Sequence, residues 1–452
     1  MRVQTLIHAG WVMPMAPKGA VLAQHSVLID EGKVVAVVPT AETADVEAQT
    51  VYNLPNQIVL PGLINAHSHA PMNILRGMGA DLPLMDWLTT KIWPAEGKLM
   101  SPEFCYEGSL LAGEEMLRSG ITCTNDHYFF PADVARGLND AGMKCTVSAF
   151  FIGFPSAMAK DADEYYARAK EVLEQFQGHQ KTRVSVGPHA PYTVDDATLI
   201  RCRDLADQYD TKIHMHIDET QSEIETSMKE YGMRPVERLQ KLGFLSDRLV
   251  SVHTVHPDEN EMQLLAKAGA SVCHCPCSNL KLASGFSPIA HMMDLGINIA
   301  IGTDSVASND KLDLLGETRL AAMLGKAVSG EPTSMKVEDL LYAATMGGAK
   351  AIGWDDRIGS LEAGKDADII AIDLAGVNTV PVFDAHTQLL YSAGREDITH
   401  VWVDGELVVK KQQCVELRHL TNIKAHELAQ KWHNGSSRKR VKLINKLTKS
   451  VI

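Results

Sequence analysis

Histidines and carboxylates gather at the ends of short apolar runs in this chain. His67-Ser68-His69 ends IVLPGLINAHSH. His189 lies near the end of RVSVGPHAP, and His214-Met215-His216 with Glu219 ends TKIHMHIDE. His253 and His256 end LVSVHTVH, and Asp304 ends NIAIGTDS. Alternation along an extended strand places His67 and His69 on one face, about 7 Å apart, close enough to share an ion. A lone histidine is more often a core residue satisfied by its neighbours. Here the pattern recurs at the same end of five runs, and that recurrence points to a metal site.

The elements that position these residues can be read from the texture of the chain. Eight short apolar runs, 58–69, 121–129, 145–153, 183–191, 211–219, 249–256, 270–278 and 298–305, alternate with segments of helical period. One such helix starts at Ser101-Pro102 and stops at Gly120. Eight β-then-α units predict an α/β fold, a closed parallel (β/α)8 TIM-like barrel over 60–355. Side chains at the C-terminal ends of barrel strands face the active site, where this histidine set falls. Both chain ends read as β. VLIDEGKVVAVV turns at Glu31-Gly32, and HVWVDGELVVKKQ turns at Asp404-Gly405. Residues 1–59 and 356–418 are therefore expected to form one small β-sandwich domain, followed by a helical, basic tail over 419–452.

Composition excludes other classes. The 452 residues are 45% hydrophobic and 22% charged, ordinary for a globular protein, and the net charge of −13 gives no reason to seek nucleic acid or anionic membrane. The basic stretch SRKRVKLINKLTK lacks interleaved aromatic residues and reads as a solvated helix. No run is long enough to span a membrane, and MRVQTLIHAG does not read as a signal peptide. The eight cysteines form no C-x-x-C pair, so reduced thiols in a cytoplasmic enzyme are expected. In Cys273-His274-Cys275-Pro276-Cys277, alternation would put the thiols on one face with no second ligand cluster nearby, and no zinc site is assigned there.

His67-x-His69 after PGLINAH, His216 with Glu219 three residues on, His253, and Gly302-Thr303-Asp304 resemble the mononuclear branch of the amidohydrolase superfamily. VLIDEGKVVAVVP and GSLEAGKDADIIAID look like that family's two-part sheet domain, so the resemblance spans nearly the whole chain. AHSHAPMNILRG, LPLMDWL, GPHAPY, SNLKLASG and GTDSVASN are most similar to 5-methylthioadenosine/S-adenosylhomocysteine deaminases and the related triazine chlorohydrolases. Binuclear relatives carry a carboxylated lysine at the end of strand 4, where this chain has Gly187-Pro188-His189. The resemblance therefore implies one divalent ion per chain on His67, His69, His216 and Asp304. This donor set suits Zn(II), with Fe(II) or Mn(II) as alternatives.

The resemblance also implies the chemistry. The ion brings the deprotonation of water toward neutral pH. Glu219 moves the water proton to a ring nitrogen, His253 polarises the water, and Asp304 accepts a hydrogen bond from it. Glu96 is expected to grip the ribose hydroxyls, His189 to contact the purine, and Trp87 to pack near the pocket. Deaminases that accept S-adenosylhomocysteine carry an arginine on strand 3, and Ala149 is aligned there, beside Phe150 and Phe151. The expected reaction is deamination of 5′-methylthioadenosine to 5′-methylthioinosine and ammonia, with adenosine and S-adenosylhomocysteine weaker. The alternative is a deaminase or chlorohydrolase of guanine, an oxidised purine, a pterin or a triazine. A homo-oligomer with a small nucleoside as its partner is expected.

Overall fold

The computed structural model describes residues 1–415, 427 and 430–432. Most of the tail expected from residue 419 lies outside the described residues. Four strands come first: β1 (Arg2–Val12), β2 (Leu22–Asp30), β3 (Lys33–Pro39) and β4 (Glu47–Pro61). The barrel strands follow: β5 (Leu63–Ser68), β6 (Ile121–Asp126), β7 (Lys144–Phe151), β8 (Thr182–Pro188), β9 (Ile213–Ile217), β10 (Leu249–His253), β11 (Ser271–His274) and β12 (Asn298–Ile301). The last four are β13 (Ile369–Asp373), β14 (Ile398–Val403), β15 (Glu406–Lys410) and β16 (Gln413–Cys414).

The strands β5 to β12 pair in sequence order, parallel throughout, as the alternating pattern predicts. The seam between β12 and β5 closes just beyond the last strand. There Ser68 bridges Asp304, and the Asp304 N–H donates to the His67 carbonyl at 3.0 Å. Asn65 reinforces the seam, accepting from the Thr303 N–H at 2.9 Å and donating to Thr303 Oγ1 at 2.8 Å. Helices cover the outside. Pro102–Arg118 begins, as its sequence indicates, with Ser101 accepting from the Phe104 N–H at 3.1 Å.

The two chain ends build one mixed eight-stranded sheet, in the order β16-β15-β14-β13-β4-β1-β2-β3. Its halves share a core that includes Ile7, Val27, Val59, Ile369 and Trp402. Both expected hairpins form. Glu31-Gly32 and Asp404-Gly405 each place two successive residues at positive φ, the backbone a tight two-residue turn demands.

Residues 58–69, read as one strand, divide at Gly62 between the two sheets. A Cβ at Gly62 would stand 2.1 Å from Thr122 Oγ1, so only glycine lets the chain cross at this point. The other barrel strands stop short of their predicted ends. The backbone leaves the extended conformation at Asp218 (φ 55), His253 (φ 72), Thr254 (φ 44) and Asp304 (φ 56). Positive φ in non-glycine residues costs of order 1–3 kcal/mol each, a strain that clusters at functional sites.

The sheet domain is anchored to the barrel through a buried cation. Lys144, at the start of β7, is wholly buried and donates to Asp368 at 2.6 Å, with Asp404 at 2.6 Å and Asp366 at 3.3 Å. No helix among the described residues is long and apolar enough to cross a membrane.

Candidate active site and metal centre

The barrel seam carries the convergence of donor atoms. His67 Nε2 and His69 Nε2 each lie 3.3 Å from Asp304 Oδ1, and His67 Nε2 lies 3.3 Å from His216 Nε2. The four side chains come from β5, β9 and the turn after β12, so three strand ends meet at one point. Gly302 makes the approach of His67 possible: a Cβ there would stand 2.9 Å from His67 Cβ and 2.8 Å from Cys273 Sγ.

The hydrogen bonds around the cluster show that these residues fit a cation. His69 Nδ1–H donates to the His127 carbonyl at 2.6 Å, and His216 Nδ1–H donates to the His189 carbonyl at 2.8 Å. A carbonyl only accepts, so each neutral ring presents a lone pair at Nε2. Burial favours the neutral form and pushes His67 down to about 4 and His216 well below the usual histidine range, whereas at His69 the carboxylates of Asp304 and Asp126 outweigh burial and raise the ring. In their neutral forms His69 and His216 thus turn lone pairs toward the Asp304 carboxylate at short range, with His67 Nε2 beside them. A divalent cation relieves that repulsion, and His3Asp is a donor set that zinc takes readily.

Asp304 and Glu219 share this region but are driven in opposite directions. Burial alone would raise Asp304, but the adjacent His67 and His69 rings outweigh it and hold the carboxyl well below its usual range. Ser278 and Ser308 donate to Asp304 Oδ2 at 2.5 and 3.0 Å, which leaves Oδ1 for the centre. Glu219 has only a long hydrogen bond from Ser284 Oγ at 3.5 Å, and burial raises it. Environments that push two carboxyl groups apart suit one for staying ionised and the other for exchanging protons.

Glu219 stands on a rigid turn. Glu223 accepts from the backbone N–H groups of Asp218 and Glu219, at 3.1 and 2.9 Å. His253 Nδ1 donates to Asn279 Oδ1 at 2.9 Å, which points Nε2 toward Glu219 Oε2, 3.9 Å away.

A cavity of about 670 Å3 opens onto the cluster, and His69, His189, His216, Glu219, His253 and Asp304 form its floor. Its roof is the helical segment from Leu84 to Leu99. Leu84, Leu88, Ile92 and Glu96 recur every four residues and all line the cavity, with Trp87 beside them. Trp87 donates its Nε1–H to the Met78 carbonyl at 2.9 Å. His189 pairs with Thr193 Oγ1 at 2.9 Å. The two remaining histidines of the sequence pattern lie apart from the cavity: His214 meets His67 from behind, and His256 bonds the Ser284 carbonyl.

Ala149 requires correction. It does not line this cavity. Phe150 and Ile152 face inward from β7, whereas Ala149 lines a second cavity with Asp133, Met158, Arg168 and Val172. Successive strand residues point to opposite faces, and Ala149 takes the one turned away from this cavity. Phe151, on the same face as Ala149, is buried and does not line the site either.

Sequence reasoning missed His127 and Tyr128, which line the cavity just past β6. The signal was present, since both close the apolar run 121–129. His127 packs over Gly187, where a Cβ would meet its ring at 2.9 Å. Ser278 and Asn279, in SNLKLASG, were quoted only as part of a resemblance, and the structure gives each a hydrogen bond to a site residue.

Residues 58–408 match the model of the amidohydrolase family. A 5-methylthioadenosine/S-adenosylhomocysteine deaminase of Teredinibacter turnerae is 40% identical over 424 residues, covering 94% of this chain and 95% of the relative. A crystal structure of an adenosine deaminase from Xanthomonas campestris with bound zinc superposes with a TM-score of 0.94. It is 43% identical, and the match covers 96% of this chain and 98% of that one. The zinc complex of an atrazine chlorohydrolase from Arthrobacter aurescens is 25% identical with a TM-score of 0.87, over 95% of this chain and 100% of that one.

Proposed function

This chain belongs to the amidohydrolase family, and from that premise we propose that it deaminates adenine nucleosides hydrolytically. Its best substrate is 5′-methylthioadenosine, converted to 5′-methylthioinosine and ammonia, with adenosine and S-adenosylhomocysteine weaker. The observation that carries this reading is one cavity holding two carboxyl groups in different settings, Glu219 at the donor cluster and Glu96 in the roof. The first suits proton transfer and the second suits a diol.

The cofactor is one divalent ion per chain, Zn(II) by preference, held by His67, His69, His216 and Asp304. When bound, it supplies the Lewis acidity that lets water deprotonate near neutral pH. His127 supports the count of one, because its ring fills the space over Gly187 that a longer side chain on β8 would need.

Glu219 accepts a proton from the attacking water and delivers it to ring N1 of the purine. This makes C6 electrophilic, and the C6–O bond forms. The remaining hydroxyl proton passes through Glu219 to the exocyclic amine. The C6–N bond then breaks, ammonia leaves, and the C6 carbonyl of the inosine product remains. A single carboxyl that shuttles protons serves both transfers. His253, oriented by Asn279, polarises the water, and Asp304 accepts its hydrogen bond. His189 contacts the purine and Trp87 packs beside it.

Glu96 accepts from the vicinal ribose hydroxyls. A triazine, pterin or guanine ring offers it no diol, which favours the nucleoside over the other heterocycles. At the far end of the substrate, the described residues lining the cavity include no lysine or arginine. Arg76 is occupied by Glu115 and the Asp310 carbonyl, and neither it nor Lys160 lines the cavity. A thiomethyl group gains about 25 cal/mol per Å2 of apolar surface buried, whereas a homocysteine carboxylate must lose water without a fixed partner. The proposed enzyme is homo-oligomeric and cytoplasmic, and its eight free cysteines agree with the second of these. The reading is tested by ammonia release across purine and pterin amines. Turnover of 5′-methylthioadenosine above free adenine, guanine and pterins supports it, and preference for a base without ribose overturns it.

A further inference from the structure

His67 differs from the other two histidines of the cluster in what holds its far nitrogen. His69 and His216 donate Nδ1–H to backbone carbonyls. His67 Nδ1 instead meets His214 Nε2 at 2.8 Å. The ring centroids are 5.0 Å apart and the planes differ by 22°, so the rings meet nearly coplanar, nitrogen to nitrogen. On its far side, His214 Nδ1 lies 2.7 Å from the side-chain amide of Asn125, on β6. All three side chains are buried.

Such a chain of neutral groups allows two directions of donation. If the amide nitrogen of Asn125 donates to His214 Nδ1, then His214 carries its proton on Nε2 and donates to His67 Nδ1. The His67 proton then sits on Nε2, where it blocks a metal. If the amide oxygen faces His214 instead, His214 Nδ1–H donates to it and His214 Nε2 accepts from His67 Nδ1–H. His67 Nε2 is then a free lone pair. A half-turn of the amide exchanges the two states. In the orientation with nitrogen toward His214, Asn125 Oδ1 is buried without any partner, whereas after the half-turn that oxygen accepts from His214 Nδ1–H.

We propose that Asn125 and His214 are positioning residues that set the tautomer of His67, with the Asn125 amide oxygen accepting from His214 Nδ1–H. This rests on His67 being a metal ligand. The relay replaces the carbonyl or carboxylate that usually orients a metal-binding histidine. Its direction is decided by one amide that does not itself line the cavity.

The test is zinc affinity, measured by chelator competition on the full chain, alongside the melting temperature of the metal-free protein. Asn125→Leu keeps the volume but removes the acceptor. It is expected to weaken zinc binding by about 10–100-fold, the usual cost of losing such a partner, with little change in metal-free melting. Asn125→Asp only accepts and is expected to restore tight binding. Zinc affinity in Asn125→Leu equal to the parent, or Asn125→Asp as weak as Asn125→Leu, overturns the relay. The tautomer itself decides the matter without any stable variant. In zinc-loaded parent protein with 15N-histidine, the His214 proton is expected on Nδ1, and finding it on Nε2 overturns the proposal. His67→Ala separates the two readings. If it keeps parental zinc affinity, the ligand assignment fails. If it loses zinc while Asn125→Leu does not, only the relay fails.

Discussion

Tyr128 donates its hydroxyl to Glu96 Oε1 at 2.6 Å, tying the end of β6 to the roof of the cavity. Burial pushes the Glu96 carboxyl up to about 7. Above that pH it is ionised and accepts from two hydroxyls. Below it, one oxygen carries a proton and an acceptor is lost. KM for ribonucleosides is therefore expected to rise as the pH falls through about 7, with the dependence absent in Glu96→Gln. Glu96→Ala should weaken substrates bearing both hydroxyls and leave metal content alone. A 2′,3′-dideoxy substrate should be poor with the parent and no worse with the variant. Equal losses on both substrates would make Glu96 structural.

One metal equivalent per chain is expected by elemental analysis of dialysed protein, and two tightly held equivalents contradict the ligand assignment. His67→Ala should lose both metal and activity, because the cluster then offers only three donors and an opening to solvent.

Glu219→Gln keeps the shape of the side chain but cannot take a proton. Turnover should fall by about 10²–10⁴ with metal still bound. Near-parental turnover in that variant would refute the shuttle.

Selectivity follows from the lack of lysine and arginine among the described residues lining the cavity. kcat/KM for 5′-methylthioadenosine should exceed that for S-adenosylhomocysteine by at least about tenfold, a gap of about 1.4 kcal/mol. Ile152→Arg places a cation on the cavity side of β7 and should narrow the gap. Ala149→Arg points to the opposite face and should not. Equal efficiency on both substrates in the parent would reveal a cation reaching the tail from elsewhere.

Much of the site was legible because barrel geometry converts position along the chain into position in space. Any polar residue ending an apolar run arrives at one rim, so His67, His69, His216, Glu219, His253 and Asp304 could be gathered by reading alone. Facing was harder. A strand has period two, and Ala149, read as the substrate-tail position, faces outward from β7 while its neighbour Phe150 lines the cavity. Partners that come from distant elements left no local trace. Glu223 beneath Glu219, Asn279 behind His253, and Ser278 and Ser308 behind Asp304 are ordinary polar residues until the fold brings them together. His214 read as part of the same pattern because it stands two residues before His216 in one run. Its actual partner, His67, is 147 residues earlier.

The Lys144 clasp has a consequence for the order in which the molecule is made. The lysine belongs to the third barrel strand, but its partner Asp368 follows 224 residues later and Asp404 later still. A buried ammonium without counter-charges is strongly disfavoured. During synthesis, the base of β7 is therefore expected to stay hydrated until the last strands emerge. The eighth barrel strand ends at Ile301, yet a chain stopped before Asp404 is expected to fall short of its final packing at this end, which protease sensitivity of such truncations would check.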